Sequence, residues 1–180
     1  MRIPLRTLLL GSMSLCLVAQ EKPIAFTHAR LLTMEGAEIP DGTLVVQGGK
    51  VVAAGRVAVP AGAEVRDVKG KWVMPGLVDS HSHVSQSGGA DGSAPIQPEV
   101  RISDALNVRS SEVMKARSGG ITTVNVMPGS GHLLSGQTIY LKLRNGLTVD
   151  DLALGRLGAG YLGGLKMANG TNSMRGANGF

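Results

Sequence analysis

The stretch GKWVMPGLVDSHSHV, residues 70–84, decides the fold and holds two of the four histidines of this 180-residue chain. Its apolar run after a Pro-Gly break is typical of a strand buried on both faces in a parallel sheet. Because side chains alternate along a strand, His81 and His83 are predicted to point to one face. Asp79, two residues earlier, is predicted to share that face.

These three side chains predict a metal site. In parallel α/β folds, active sites form at the C-terminal ends of the strands, which is where this strand ends. Neutral imidazole suits zinc and other first-row metals, and a nearby carboxylate can orient a ligating ring. We therefore predict His81 and His83 as metal ligands and Asp79 as their supporting carboxylate. The alternatives are a solvated strand end or one buried histidine bonded to Asp79.

The segment before this strand predicts a small β-sheet or sandwich layer. TLVVQGGKVVAAG, residues 43–55, has two β-branched runs joined by Gly48-Gly49, a typical two-residue hairpin signal. AEVRDVKGKWVMPG, residues 63–76, predicts a second hairpin with Gly70 as its turn.

The segment after the histidines predicts a strand–helix–strand unit with parallel strands. Residues 85–99 are rich in Gly, Ser and Pro and predict a long loop. SSEVMKARSGG, residues 110–120, predicts a helix whose start is capped by Ser110 or Ser111 and whose end lies just before Gly119. ITTVNVM, residues 121–127, predicts a second buried strand. A third strand is expected within residues 161–168.

Composition narrows the class of protein. Hydrophobic residues make up 43% and aromatic residues 3%, so the core is expected to be mainly aliphatic. Residues 1–19 have a basic start and a short apolar stretch, which predict a signal peptide and a periplasmic or secreted location, without membrane attachment after cleavage. Cleavage removes Cys16, the only cysteine, and leaves 16 basic and 13 acidic residues. The chain has no cluster of Lys and Arg with interleaved aromatic residues, so a nucleic-acid partner is not expected.

The histidine strand closely resembles the first barrel strand of the metal-dependent amidohydrolase superfamily, with its Pro-Gly-Leu-(Ile/Val)-Asp-x-His-x-His motif. DGTLVVQGGKVVAAG, residues 41–55, resembles the N-terminal β-sandwich segment of that family, and SGGITTVNVMPGSG, residues 118–131, resembles its second barrel strand. The resemblance runs from about Lys22 to about Asn172 and is closest to the imidazolonepropionase-like branch.

The resemblance implies a distorted (β/α)8 barrel holding one or two divalent metals, usually zinc, with His81 and His83 as first-strand ligands. It implies an amidohydrolase whose metal-activated water attacks an amide or other non-peptide C–N bond of a small molecule. The expected fold class is α/β. Residues 20–74 are the N-terminal β-sandwich segment, and residues 75–180 are the first strands and helices of an incomplete (β/α)8 TIM-type barrel.

Length suggests that this barrel is partial. A full barrel takes about 250 residues, whereas 97 residues follow His83 and two barrel strands are clear. We expect an N-terminal fragment that is inactive alone, with the remaining ligands and the general base beyond Phe180. The competing hypothesis is an exported, non-catalytic β-rich binding module or pseudo-enzyme. A homo-oligomer stays open.

Other motifs carry weaker expectations. His132 lies in a glycine loop, where a solvated side chain is favoured over a substrate contact. Some family members bridge two metals with a carboxylated lysine, but a surface or turn position is favoured for Lys166. His28 is expected to be structural. GAGYLG, residues 158–163, matches a dinucleotide-binding pattern but lacks the strand before it and an acidic residue after it, so it is interpreted as a glycine loop.

Overall fold

The computed structural model describes residues 21–89 and 91–174, which divide into two compact units after Pro75. The predicted signal peptide therefore lies outside the described residues. The strands are β1 Ile24–Leu31, β2 Ile39–Gln47, β3 Lys50–Gly55, β4 Glu64–Asp67, β5 Trp72–Val73, β6 Leu77–Ser82, β7 Ile121–Val126, β8 Leu134–Gln137, β9 Ile139–Lys142, β10 Arg156–Leu157, β11 Gly160–Tyr161 and β12 Leu165–Met167. The helices are α1 Ser111–Ser118 and α2 Val149–Leu152, with 3-10 turns at Ile102–Ala105 and Gly170–Asn172.

The first unit is a five-stranded sheet in the order β3-β2-β1-β4, with β5 also pairing with β1. β2 and β3 pair antiparallel, and Gly48 and Gly49 between them have φ values of 57° and 70°. Two successive positive φ values are what the tight turn of a two-residue hairpin requires. The first predicted hairpin is therefore confirmed.

The second predicted hairpin is wrong. β4 and β5 do not pair with each other, because both pair parallel with β1, at Ile24–Thr27 and at Arg30–Leu31 of that strand. Gly70 does take a positive φ of 78°, and the Lys71 N–H donates to the Val68 carbonyl oxygen at 2.9 Å. The chain therefore keeps its direction across this turn, and β4 and β5 pair one after the other with β1.

The second unit is built around a three-stranded sheet in the order β6-β7-β9. β6 and β7 are parallel and α1 connects them, so the predicted strand–helix–strand unit is confirmed. The Ser110 hydroxyl accepts the Glu112 N–H at 3.2 Å and caps the helix, which ends at Gly119 as expected. Within the part of the chain that is described, no helix is long and apolar enough to span a membrane.

Two strand predictions for this unit need correction. β6 is not buried on both faces: Leu77 is 49% and Val78 64% exposed, since β7 is its one strand partner among the described residues. The strand expected within residues 161–168 exists as β12, but it pairs antiparallel with β8. The third strand of the sheet is instead β9, antiparallel to β7, because the connection from β7 contains no helix to carry the chain back in parallel.

The core of the second unit lies between β7, β9 and the helices. Val124 and Val126 of β7 are fully buried, which confirms the buried strand predicted there. The buried cluster is aliphatic, as the low aromatic content predicted. Its members are Ile102, Val108, Val113, Val124, Val126, Ile139, Leu141, Leu143 and Leu152.

A capping box begins α2 and gives a pH-dependent prediction. The Asp151 carboxylate accepts the N–H groups of Leu147 and Thr148, each at 2.9 Å, and these bonds hold the pKa of Asp151 below its usual value. A pKa lowered by folding stabilises the native state above the unfolded pKa, and this contribution disappears as pH falls through the folded pKa.

We therefore expect Asp151→Asn to lower the free energy of unfolding at neutral pH. The difference from wild type should shrink below about pH 4, where the unfolded carboxyl is protonated. Urea unfolding across this pH range measures the difference. Asp41→Asn, at an exposed carboxylate that accepts no hydrogen bond from the described residues, is the matched control and should leave the pH profile unchanged.

Candidate metal centre

The structure brings the rings of His81 and His83 together at the C-terminal end of β6. Their centroids lie 5.3 Å apart, with the ring planes at 74°. The pairing of β6 with β7 is irregular here, because Asp79 faces Val124 while Ser82 faces Val126. The step from Asp79 to Ser82 is three residues on β6, whereas the step from Val124 to Val126 is two residues on β7. The strict alternation of side chains is therefore interrupted within the Asp-x-His-x-His motif.

This irregularity involves Asp79. Its Oδ1 accepts the backbone N–H of His81 at 3.1 Å, a local bond that holds the chain between Asp79 and Ser82 in its bent path. The Asp79 carboxylate is thus bonded to the backbone N–H of His81, one of the two predicted ligands. Its role in orienting an imidazole stays a prediction.

The His83 ring is held through Nδ1. This atom lies 3.0 Å from the Met127 carbonyl oxygen, just beyond the end of β7, and can donate to it. The side-chain amide nitrogen of Gln86, also a donor, lies 2.8 Å from the same atom and donates to the Met127 carbonyl oxygen. When Nδ1–H donates to a backbone carbonyl, the lone pair of a neutral imidazole is on Nε2. This arrangement fits a ring that presents Nε2 to a metal.

Lys166 lies against the other ring. Its Nζ is 3.4 Å from His81 Nε2, and the residue is only 8% exposed. The expectation of a surface or turn lysine is therefore wrong. β12 carries Lys166, and the pairing of Lys166 with Gly136 of β8 draws the side chain inward. No local sequence pattern predicts the pairing of β12 with β8.

The two remaining histidines lie elsewhere. The His132 ring lies beside Gly92, at a distance of 3.5 Å from where a Cβ atom of that residue would be. The pKa of neighbouring Asp91 is lowered, chiefly because its carboxylate accepts the Ser93 N–H at 2.9 Å and less because of His132. His28, in the first unit, forms an exposed 3.1 Å pair with Asp67.

The donor set is chemically suitable for zinc but incomplete. Within residues 21–89 and 91–174, no three His, Cys, Asp or Glu side chains are close enough to hold a metal ion. His81 and His83 would supply two of the four ligands that zinc usually takes. The side chains of Lys166 and Gln86 also lie beside the pair. In the glycine-rich 158–163 segment, Gly158 and Ala159 form the turn of the β10–β11 hairpin and Gly160-Tyr161 is β11 itself, so the interpretation as a glycine loop is correct for only part of it.

The parallel β6–α1–β7 unit with a His-x-His pair at the strand end is the arrangement that the resemblance to metal-dependent hydrolases implied. No family model matches the chain. Dihydroorotases from Bacillus cytotoxicus and Bacillus thuringiensis are 31% identical to it over 105 residues, which are 58% of this chain and 21% of each relative. The chain thus spans about a fifth of the length of these curated relatives.

A solved structure extends the similarity to most of the chain. The amidohydrolase from Thermotoga maritima superposes with a TM-score of 0.75 at 30% identity, covering 84% of this chain and 40% of that one. Together these similarities point to the metal-dependent amidohydrolase superfamily. The place of the chain in the imidazolonepropionase-like branch stays a prediction.

Proposed function

We propose that this chain is part of a metal-dependent hydrolase that cleaves C–N bonds in small amides or cyclic amides. In this proposal β6 and β7 are the first two strands of a (β/α)8 barrel, and the first unit is the N-terminal β-sandwich segment. The proposal rests above all on the meeting of His81, His83 and Lys166 at the C-terminal end of β6. We also propose export, on the basis of residues 1–19.

The residues of the chain would hold and orient the reacting groups. His81 and His83 would bind a divalent metal, zinc by the chemistry of the imidazole donors, through Nε2, and the Met127 carbonyl would keep the proton of His83 on Nδ1. A metal held there would supply Lewis acidity for the substrate carbonyl and would lower the pKa of a water toward about 7. The name of the curated relatives, dihydroorotase, favours a cyclic amide as substrate.

Metal titration followed by a hydrolysis assay tests the proposal. Zinc is titrated into the purified chain, and in parallel into the product of the complete reading frame that encodes it, in competition with a chromogenic chelator. We expect stoichiometric zinc in both and chelator-sensitive hydrolysis of dihydroorotate or related cyclic amides by the complete product. Folded proteins that bind no zinc would contradict the proposal. Zinc binding without turnover in the complete product would favour a non-catalytic binding module.

Lys166 gives a separate prediction about the same centre. A buried ammonium beside an imidazole is unfavourable, whereas a carboxylated amine would place an anionic oxygen ligand next to His81. We expect Lys166→Ala to weaken zinc binding about 10–100-fold, the range seen when a partner of a metal ligand is removed. Lys142→Ala, at an exposed lysine of β9, is the control. Bicarbonate should strengthen zinc binding of the wild type and leave Lys166→Ala unchanged; equal affinities in both variants would contradict this role.

A further inference from the structure

The turn that follows the metal strand has an unusual backbone. Ser85, two residues after His83, has a φ of 70°, yet it is only 2% exposed and is not glycine. Left-handed backbone at a residue with a side chain costs free energy and persists where surrounding contacts hold it. The contacts that hold the Ser85 turn, residues 84–87, are therefore informative.

The backbone groups of Ser85 are hydrogen-bonded to the first turn of α1 and to the segment that leads into it. Its N–H donates to the Glu112 carboxylate at 2.7 Å, and its carbonyl oxygen accepts the Asn107 N–H at 2.8 Å. The Ser87 N–H donates to the Ala105 carbonyl oxygen, also at 2.8 Å. Only the bond that Ser85 N–H donates to Glu112 has a carboxylate acceptor, and hydrogen bonds to an ionised acceptor are roughly twice as strong as neutral ones.

The Ser85 turn places Gln86 next to His83, one of the predicted metal ligands. The Gln86 amide nitrogen lies 2.8 Å from His83 Nδ1 and also contacts the Met127 carbonyl oxygen. A carbonyl oxygen has two lone pairs, so Met127 can accept both the Gln86 amide and His83 Nδ1–H. Gln86 therefore packs against the ring of His83 on the side away from Nε2, and its position depends on the turn that Glu112 holds.

We propose that Glu112 is a positioning residue of the metal centre, which sets the orientation of the His83 ring through the Ser85 turn and Gln86. This inference rests on the proposed function, because it requires His83 to bind a metal. Glu112 would touch neither metal nor substrate. It would act by holding the backbone from which Gln86 and His83 project. A purely structural Glu112 would change stability without changing the geometry of the metal site.

Titration of the full chain with Zn²⁺ and Co²⁺ separates these roles. We expect Glu112→Ala to weaken zinc binding about 10–100-fold, the usual effect of losing a residue that orients a metal ligand. The visible absorption of bound Co²⁺, which reports ligand geometry, should change as well. Glu112→Gln retains an acceptor for the Ser85 N–H and should recover most of the affinity. Glu99→Ala, at an exposed glutamate of the 85–99 loop, is the control and should match wild type.

Two further variants keep the test decisive if Glu112→Ala fails to fold. Gly tolerates positive φ, so Ser85→Gly combined with Glu112→Ala should relieve the strained backbone while leaving the turn unanchored, and zinc affinity should stay low. Gln86→Ala should alter the Co²⁺ spectrum without touching α1. A folded Glu112→Ala protein, or the folded double variant, with wild-type affinity and spectrum would overturn the inference.

The result also distinguishes this inference from the proposed function. If the wild-type chain binds no zinc, or binds it equally well without His81 and His83, the proposed function and this inference fail together. If zinc binding depends on both histidines while the Glu112 variants behave as wild type, the inference alone fails.

Discussion

Replacing both His81 and His83 with alanine is expected to abolish zinc binding by the chain while leaving its fold intact. Their rings lie 5.3 Å apart and are exposed, so their removal opens no cavity in the buried core. Loss of a residue that only orients a ligand costs about 10–100-fold in metal affinity, so loss of both ligands should exceed about 100-fold. Competition with a chromogenic chelator measures the affinity, and thermal unfolding checks the fold.

The chain supplies a matched control for this experiment. His28 and His132 are its other two histidines: His28 pairs with Asp67 in the first unit, and the His132 ring lies beside Gly92. His28→Ala/His132→Ala removes the same number of imidazoles, so any zinc bound adventitiously by histidine should fall equally in both double variants. Wild-type zinc affinity in the His81→Ala/His83→Ala protein, at an unchanged melting temperature, would refute the assignment of the site.

Gly163→Ala is expected to destabilise the second unit by about 3 kcal/mol or more. A Cβ atom at Gly163 would lie within 1.9 Å of the Thr138 carbonyl oxygen, a contact that no side-chain rotation can relieve. The two segments are also tied together, because the Thr138 N–H donates to the Gly164 carbonyl oxygen at 2.8 Å and the Gly164 N–H donates to Thr138 Oγ1 at 2.8 Å. If the backbone moved to relieve this overlap, the hydrogen bonds between Thr138 and Gly164 would be lost. That loss of stability would add to the cost of overpacking.

The neighbouring glycine is the control. A Cβ atom at Gly164 would meet Thr138 Oγ1 at 3.8 Å, an ordinary contact, so Gly164→Ala should change the free energy of unfolding by less than about 1 kcal/mol. Urea unfolding of both variants measures the difference. Since β12 begins at Leu165, displacement of this segment should also weaken zinc binding through Lys166. Equal stabilities of the two variants would show that the segment moves freely.

Features that depend on a few neighbouring residues could be predicted from the sequence. The cap at Ser110, the end of α1 at Gly119 and the hairpin at Gly48-Gly49 each need only local backbone geometry and local hydrogen bonds. The closeness of His81 and His83 belongs with them, because they are only two residues apart. The strict strand alternation expected for the motif does not hold, since pairing with β7 is irregular between Asp79 and Ser82 and β6 ends at Ser82.

Features that depend on distant pairing could not be predicted. Lys166 is 85 residues from His81 in sequence and reaches it through the pairing of β12 with β8. The parallel pairing of both β4 and β5 with β1 likewise depends on the path of the whole first unit. In each case the local pattern shows that a strand is present but leaves its partner and direction open.

The exposed edge of β6 has a thermodynamic consequence. Backbone hydrogen bonds at a sheet edge open with a smaller free energy than those in a core strand, so the segment that carries His81 and His83 should exchange its amide hydrogens early. A metal that binds only the closed strand would stabilise it by about 2.7 kcal/mol at 100 times its dissociation constant. Metal binding and closure of this strand would then be one equilibrium, and the concentration of free zinc would determine how often β6 opens.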